Sequence, residues 1–556
     1  MKFKPIDKFK VFDIEAYEWN KIYAIGLYDG SKVLTHISDN EPNTAFVEWL
    51  LDNLNDGDIL FAHNGGKYDF LFLFQFIQER KVKIRDIKVI HASVVMLKIE
   101  YNNKVLEFRD SFALLPVSLK NLTIDYDVEH KKLQMDYNLG IGDARFKEYF
   151  RNDLMGLYEV LEQSRELLNS YTIAQATMKN YLTNFYKQKI SNYSFKIDNL
   201  FRNGYYGGRV EIFKMRGENL HYYDINSLYP SVMYESEYPL IASNNIEYVN
   251  EYVRNRLGYY FVKVSVPDND YIPLLPYRDK EGKLLFPQGT WQGWYYSPEI
   301  EKALQLGYSI KVYRGYVFKH TGYIFRDFVN HYYDIKKHST GAKRFIAKLM
   351  LNSLYGKFGQ HRELDTFEVS EDSPYMYLPY LNLARVKTIS YAKYIHSEIA
   401  GLITSYARLK LYSLFERAGK ENIYYCDTDS IITSRELSTS DALGDIKNED
   451  NIKTFIAINP KVYAYITTDN SKIVIKAKGL DAKALKYQDF ENALYKGDFS
   501  AFIYQFERLA TFKEVKSRKQ VKSFGDKLKI IRQMRKHYSK RYILNNFDTK
   551  PIVVRI

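Results

Sequence analysis

Apolar and polar positions alternate almost from the start of the chain. Lys10-Val11-Phe12-Asp13-Ile14-Glu15, then Ile22 to Tyr28 and Lys32 to Ile37 around an Asp29-Gly30 turn, read as short strands and predict a β-meander. The period then changes. Over residues 145–168, Phe146, Tyr149, Phe150, Leu154, Leu157, Val160 and Leu161 recur at helical spacing, which predicts a long amphipathic helix. A basic, aromatic stretch at 179–201 precedes a second set of strands and helices beginning near Gly204, and the domain boundary is placed there. Lys348 to Gly356 is helical in pattern. Ile423-Tyr424-Tyr425-Cys426 and Ser430-Ile431-Ile432-Thr433 are two β-prone runs joined by Asp427-Thr428-Asp429, which predicts a hairpin with acids at its tip. Residues 371–383, extended, Pro-bearing and Tyr-rich, read as an insertion, and the basic stretch 513–541 is largely helical in pattern. That stretch is either a solvated helix face or a surface facing a polyanion.

Composition narrows the partners. At 556 residues the chain exceeds one typical domain, so two or more cores are expected. Lys and Arg total 80 against 67 Asp and Glu, a formal +13 that favours a polyanion such as nucleic acid. No apolar run is long enough to span a bilayer, which weakens the case for an anionic membrane. The single Cys excludes a disulfide framework or a multi-cysteine zinc site and suits a reducing cytosol, so any metal sits mainly on oxygen. The first strand begins at Val11 and leaves no room ahead of it for a signal peptide, so cytoplasmic action in the cell that makes the chain is expected. The 51 Tyr and 34 Phe supply many rings able to stack on bases, most of them ordinary core.

Acidic pairs carry the candidate chemistry. Asp427 and Asp429, two residues apart, point to one side, and their repulsion argues for a divalent cation, although a turn that merely favours Asp is the competing reading. Leu220 to Asp224 is another strand ending in an acid, and Asp224 can share a metal pair with the hairpin. Two Mg²⁺ ions held there would serve in-line displacement on a triphosphate. Tyr229 follows, placed to wall off a sugar 2′ position or simply to fill core. Lys348, Asn352 and Tyr355 share one helix face, and Lys336, Lys343 and Arg344 lie on the same segment, where they can extend a phosphate clamp. Nearer the N-terminus, Asp13 and Glu15 alternate onto one strand face, Asp69 follows a Gly-containing bend, and Tyr149 and Asp153 lie one turn apart. These four carboxylates can hold two further metals around an attacking water that Tyr149 orients. Taken singly, each acid is more often surface than catalytic.

In order, Asp224-Ile-Asn-Ser-Leu-Tyr-Pro-Ser, Lys348-x-x-x-Asn352-Ser-x-Tyr-Gly and Tyr425-x-Asp-Thr-Asp-Ser resemble the A, B and C motifs of family B DNA polymerases. Asp13-x-Glu15, Asn64-x-x-x-Tyr68-Asp69 and Tyr149-x-x-x-Asp153 resemble that family's three exonuclease motifs, and the likeness spans about residues 10–480. The compact length, Tyr205-Tyr206-Gly207-Gly208 and Lys461-Val462-Tyr463 are similar to the protein-primed branch of phages and linear plasmids.

The resemblance implies an α/β (α+β) fold, an RNase H-like exonuclease domain beside a right-hand polymerase domain of palm, fingers and thumb. It implies DNA template and primer, dNTPs and a terminal protein as partners, a monomer off the membrane, and two Mg²⁺ (or Mn²⁺) ions per active site. By motif position, Asp224 and Asp429 would ligate the polymerase metals with Asp427 in support. Asp13, Glu15, Asp69 and Asp153 would ligate the exonuclease metals. Tyr229 would be the steric gate, Lys348, Lys336 and Arg344 the triphosphate clamp, and Asn352 and Tyr355 the lining of the nascent pair. Tyr205, Gly207 and Gly208 would pass the template, Lys461 and Tyr463 hold the primer terminus, and Thr404 and Arg408 contact DNA. His63, Asn64, Tyr68, Ser118 and Leu119 would grip the frayed primer end, with Lys131 and Lys132 both candidates for the exonuclease lysine.

The implied domains are 1–190 for the exonuclease and 191–556 for the polymerase. Within the latter, palm falls at about 200–260 and 400–478, a terminal-protein-binding insertion at about 260–325, and fingers at about 326–359. A strand-displacement insertion falls at about 360–394, with thumb and basic C-terminal region at about 480–556. A nucleic-acid-binding factor without catalysis leaves the acids of both sites unexplained, and a nuclease alone leaves motifs A, B and C unexplained. Priming by ordinary oligonucleotides, or starting without a primer, competes with protein priming.

Overall fold

The structure is a computed structural model that describes residues 6–18, 20–90, 93–136, 139–369, 376–378, 383–509, 527–534 and 538–555. Its N-terminal unit is a seven-stranded sheet of β1 (Lys10–Tyr17), β2 (Lys21–Tyr28), β3 (Val33–Ile37), β4 (Ile59–Ala62), β5 (Lys83–Ile90), β6 (Ser93–Tyr101) and β7 (Lys104–Asp110), in the order β3-β2-β1-β4-β7-β6-β5. The expected meander of β1, β2 and β3 is present and antiparallel. β4 runs parallel to both β1 and β7, which places it at the sheet's centre, and its Ile-Leu-Phe-Ala sequence is apolar on both faces as a doubly covered strand must be. Phe12 and Ile14 of β1 pack with helices Asn43–Asp52 and Asp69–Arg80. Val11 and Phe61 face the opposite side, toward helix Ala144–Gln163. That helix buries the expected apolar stripe, and it lies so close to β2 that a side chain at Gly26 would run into Leu154 and Phe150.

The second unit is built on another seven-stranded sheet. At its centre, β9 (Arg216–Ile225) pairs antiparallel with Ser430–Thr433 on one side and Ile446–Asn459 on the other, while Ile423–Asp427 joins Ser430–Thr433 to β8 (Val210–Ile212). Val462–Thr467 and Ile473–Ala477 complete the far edge. Helices Arg326–His338 and Gly341–Phe358 pack against each other, and the stretch between them and β9 supplies four strands of a separate five-stranded sheet. Strand Val553–Arg555 returns to that sheet as its fifth strand, parallel to Gln288–Tyr296. Of the stretch 513–541, residues 513–526 and 535–537 lie outside the described residues. Where it is described, Lys527–Gln533 is a strand paired with Ile503–Leu509 rather than a helix. Its alternation of Lys527, Leu528, Lys529 and Ile530 fits period two, and Leu528 packs on the N-terminal core. In the 360–394 insertion, residues 370–375 and 379–382 lie outside the described residues, while Glu363–Val369 pairs with Leu383–Ile389 and packs beside β5.

No loose linker separates the two units, because one apolar core runs from Phe9 through Tyr181 to Leu411. Helix Phe195–Arg202 fastens the crossing with a buried ion pair. Asp198 accepts from the Ser397 amide (3.3 Å) and hydroxyl (2.8 Å) at the N-terminus of helix Ser397–Ala418. Arg202 bonds Asp198 through Nε (3.1 Å) and donates to the carbonyls of Gly359 (3.0 Å) and Gln360 (2.6 Å) beyond the C-terminus of helix Gly341–Phe358. Each charge faces the helix end that complements it. Asp198→Ala strands Arg202 and Arg362 in the core without their carboxylate, and a loss of about 3–5 kcal/mol, read as a lowered Tm, is the expected result.

Candidate active sites

In the N-terminal unit, Asp13 and Glu15 share the face of β1 that looks toward helix Ala144–Gln163, since Phe12 and Ile14 take the other. Asp153 sits within that helix's buried stripe, only 3% exposed, where a carboxylate needs a special reason. Ligand atoms of Asp13, Glu15 and Asp153 lie within 4.8 Å of one another. Asp69, the first residue of its helix, accepts a hydrogen bond from the Ile14 amide (3.1 Å) and thereby joins the group. Burial above all, then the charges of Asp69, Glu15 and Asp153, holds the Asp13 carboxyl well above its usual range, and burial pushes Asp69 up to about 8. Burial also raises Glu15 and Asp153. The Oδ1 atom of Asp153 is buried without a hydrogen-bond partner. Crowded, desolvated acids with an orphaned oxygen fit a bound divalent cation.

Between the two lysine candidates the geometry is unequal. Lys132 pairs with Asp153 and donates to the Tyr149 hydroxyl (3.1 Å), which in turn donates to Glu15 (3.0 Å). Burial opposes its charge, but Asp153, Asp13 and Glu15 together raise its pKa. Lys131 is exposed and pairs with Asp127 (2.9 Å). Asp110, which no sequence pattern marked, lies beside the Gly-containing bend that precedes Asp69. Its carboxylate accepts from the amides of Phe112 (2.9 Å) and Gly66 (3.3 Å), and burial pushes it up to about 6. Among the residues expected to grip a strand, Ser118 caps helix Leu119–Asp125 and is exposed, Leu119 and Tyr68 are half-buried, and Asn64 turns the chain at φ 65°. His63 is instead fixed structurally, with Nε2 donating to the Val117 carbonyl (2.8 Å) and Nδ1 beside Ser111 Oγ (3.0 Å). Burial pushes its imidazole down to about 4, so it is neutral.

The second group of acids forms where β9 ends. Asp224 is the ladder partner of Ser430, and the Asp429 carbonyl accepts from the Ile225 amide (2.7 Å), so Asp224 and the hairpin tip are locked side by side. Thr428 takes the left-handed turn at φ 61°. Burial first and Asp429 next push Asp224 up to about 7, and burial raises Asp429. Asp427 forms an ion pair with Lys461 Nζ at 2.5 Å. Lys336 donates to Ser227 Oγ (2.8 Å) near Asp224, and Arg344 holds the Lys336 carbonyl (3.0 Å). Burial lowers the pKa of Lys336, aided by the nearby charges of Arg344, Lys348 and Lys447. Tyr229 stacks on Tyr355 with ring centroids 4.3 Å apart, so the two rings from separate motifs form one wall, and Asn352 is exposed on the same helix as Tyr355.

Around this centre, Gly208 lies against Thr428, where any side chain would collide with the hairpin tip, and Gly207 is open. Tyr205 packs beside Gly359. Thr404 and Arg408, expected to touch DNA, are both buried in helix Ser397–Ala418. Arg408 forms an ion pair with Glu299 (2.7 Å) and donates to the carbonyls of Tyr206 (2.9 Å) and Gly207 (3.1 Å), so it shapes the glycine loop from beneath. Tyr463 is likewise buried, packed on Tyr425 at 5.0 Å, while the Lys461 side chain is open to solvent.

A seven-stranded sheet with one acid cluster, joined to a second seven-stranded sheet with another, has the fold of an RNase H-like domain beside a right-hand polymerase domain. The chain belongs to the family of type B DNA polymerases, organellar and viral, which it matches over residues 53–141 and 143–441. It is 26% identical to a probable DNA polymerase of Ascobolus immersus, over 86% of this chain but 47% of that protein, so it spans about half the length of that relative. To a probable DNA polymerase of Agaricus bitorquis it is 27% identical, over 86% of this chain and 76% of the relative. To the DNA-directed DNA polymerase of Enterobacteria phage PRD1 it is 26% identical, over 76% and 75% of the two chains. Its fold matches Phi29 DNA polymerase in a ternary complex with primer-template DNA and incoming nucleotides at a TM-score of 0.75, with 20% identity, covering 95% of this chain and 99% of the other.

Raised carboxyl pKa values have a stability consequence. Between the unfolded value of 3.8 and the folded value of about 8, Asp69 binds more proton in the native state, so its contribution falls as pH rises through that window. In chelator, Asp69→Asn is expected to stabilise the fold at pH 8 by on the order of 1–3 kcal/mol, read as a raised Tm, with little change at pH 4. Added Mg²⁺ should stabilise the parent chain at pH 8 and not the variant to the same degree, as thermal melts would show.

Proposed function

We propose that the chain is a DNA-directed DNA polymerase with a 3′→5′ proofreading exonuclease, primed by a terminal protein. The observation that carries this reading is the convergence of Asp224 and Asp429 at the end of the central palm strand, facing Lys336 of the fingers and walled by the Tyr229–Tyr355 stack. In that arrangement Lys336, Lys348 and Arg344 bind the triphosphate of a dNTP, Tyr229 blocks the ribose 2′ side, and Asn352 and Tyr355 line the nascent base pair. Lys461, anchored on Asp427, meets the primer terminus, while Tyr205, Gly207 and Gly208 guide the template over the hairpin tip. Asp224 and Asp429 would hold two Mg²⁺ (or Mn²⁺) ions, which supply activation of the primer 3′-hydroxyl and charge neutralisation at the transferred phosphate.

In the first unit, Asp13, Glu15, Asp69 and Asp153 would hold the corresponding pair. Lys132 and Tyr149, bonded to each other and to the acids, orient the attacking water against the scissile phosphate. Asn64, Tyr68, Ser118 and Leu119 receive the frayed primer end. The separation of the two acid groups onto different sheets supports two independent activities. Tyr205-Tyr206-Gly207-Gly208, Lys461-Val462-Tyr463 and the likeness to phage polymerases support protein priming, with the insertion at about 260–325 as the docking region for the terminal protein. The insertion at about 360–394, resting on the N-terminal unit, serves strand displacement.

Asp429→Ala should lower primer extension on the order of 10³-fold or more and leave single-strand 3′→5′ degradation intact, while Asp13→Ala should do the reverse. Loss of both activities in either variant would rule out two separate centres. Incubation with a candidate terminal protein, Mg²⁺ and labelled dNTP should leave a nucleotide covalently bound to that protein, and absence of label would reject that partner.

A further inference from the structure

A basic residue outside every motif faces the polymerase acids from the palm itself. Strand Ile446–Asn459 runs antiparallel to β9, and in its register Lys447 is the direct partner of Asp224. Residues opposed in an antiparallel ladder project to the same face with Cβ atoms about 4.5–5.5 Å apart, so the Lys447 side chain leaves the sheet beside the Asp224 carboxylate. On the other flank of β9, Ser430 is the ladder partner of the same Asp224, next to Asp429. Asp224 therefore stands between the hairpin acids and Lys447.

Lys447 is open to solvent and held by Glu449 (Nζ to Oε1, 2.5 Å). Its charge reaches both Asp224 and Lys336, the latter already placed by Ser227 at the same end of β9. Lys336, Arg344 and Lys348 all belong to helices Arg326–His338 and Gly341–Phe358, whereas Lys447 is fixed on the most extensively paired strand of the palm. Two cations near one acid, one on the helices and one on the sheet, suit a polyanion that carries its own bound cation, which is what a nucleoside triphosphate is.

We propose that Lys447 is a further nucleotide-binding residue, which contacts the triphosphate of the incoming dNTP from the palm side and completes the clamp begun by Lys336, Arg344 and Lys348. The ion pair with Glu449 keeps the ammonium at the edge of the site until phosphate oxygens replace the carboxylate. Because Lys447 sits on rigid sheet, its contact is present before the fingers helices engage, so it acts on capture of the nucleotide more than on the chemical step.

This proposal rests on the polymerase reading, and the test separates the two. In the full chain, K447A should raise KM for dNTP about tenfold, the size of one charge-assisted contact, with kcat within about twofold of the parent. K447R should restore most of the loss. Single-strand 3′→5′ degradation should be unchanged, since it uses the distant acid group. An unchanged KM would overturn the proposal. So would a shift in the Mg²⁺ requirement with no change in KM, which would make Lys447 a balance for the Asp224 charge. Parallel loss of degradation in K447A that K447R fails to restore would assign the residue to folding and overturn it as well. If the parent chain extends no primer, the polymerase reading itself fails. Lys447 is then judged by equilibrium binding of dNTP in the presence of Mg²⁺, where weaker binding by K447A supports the site and equal binding removes it.

Discussion

Like-charged carboxylates crowded out of water set the terms for the whole molecule. Each of the two acid groups is unfavourable on its own account, with Asp13, Asp69 and Asp224 all held above their usual protonation range by burial first and by their neighbours next. Such groups stay together only because a rigid frame gives them no alternative. In the first unit that frame is the parallel junction of β1 and β4, with helix Ala144–Gln163 laid across it. In the second it is the double pairing of β9.

The frame explains where other strain and polarity are placed. The left-handed turns at Asn64 and Thr428 occur where each loop brings an acid round to its partners. Gly208 is bare because Thr428 occupies the space a side chain would need. The charges that are buried away from the acids are paired. Asp198 with Arg202 ties the feet of the 360–394 insertion to the helix that leads into the glycine loop, and Arg408 with Glu299 supports that loop from below. Through these pairs helix Gly341–Phe358, the glycine loop and helix Ser397–Ala418 share one set of contacts, so a displacement of helix Gly341–Phe358 bears directly on the loop at Tyr205.

Much of the site was legible in the sequence because it is written locally. Asp13 and Glu15 are two residues apart on a strand, Tyr149 and Asp153 one turn apart on a helix, and Asp427-Thr428-Asp429 is a single turn. In each case the backbone period alone puts the groups on one side. Lys131 and Lys132 looked alike because adjacent residues in an irregular segment have no period to separate them, and only Asp153 and Tyr149 on a distant helix distinguish Lys132. Thr404 and Arg408 were expected to contact DNA by motif resemblance, and nothing local reveals that helix Ser397–Ala418 is buried on most of its surface. The basic stretch near the C-terminus misled for a related reason: Lys527–Gln533 has no helix of its own to form once Ile503–Leu509 is available as a strand partner.

By itself, then, the sequence determined the kinds of element that carry the acidic motifs, the order of those motifs and the membership of two separate acid groups, since these depend on spacing along the backbone. Tertiary structure alone decided that Asp224 lies between Ser430 and Lys447, that Tyr229 meets Tyr355, that Asp427 turns to Lys461, and that Asp110 supports the loop before Asp69. Those contacts join residues up to hundreds of positions apart. They are fixed by strand register and by which faces are buried together, neither of which is encoded in any one segment.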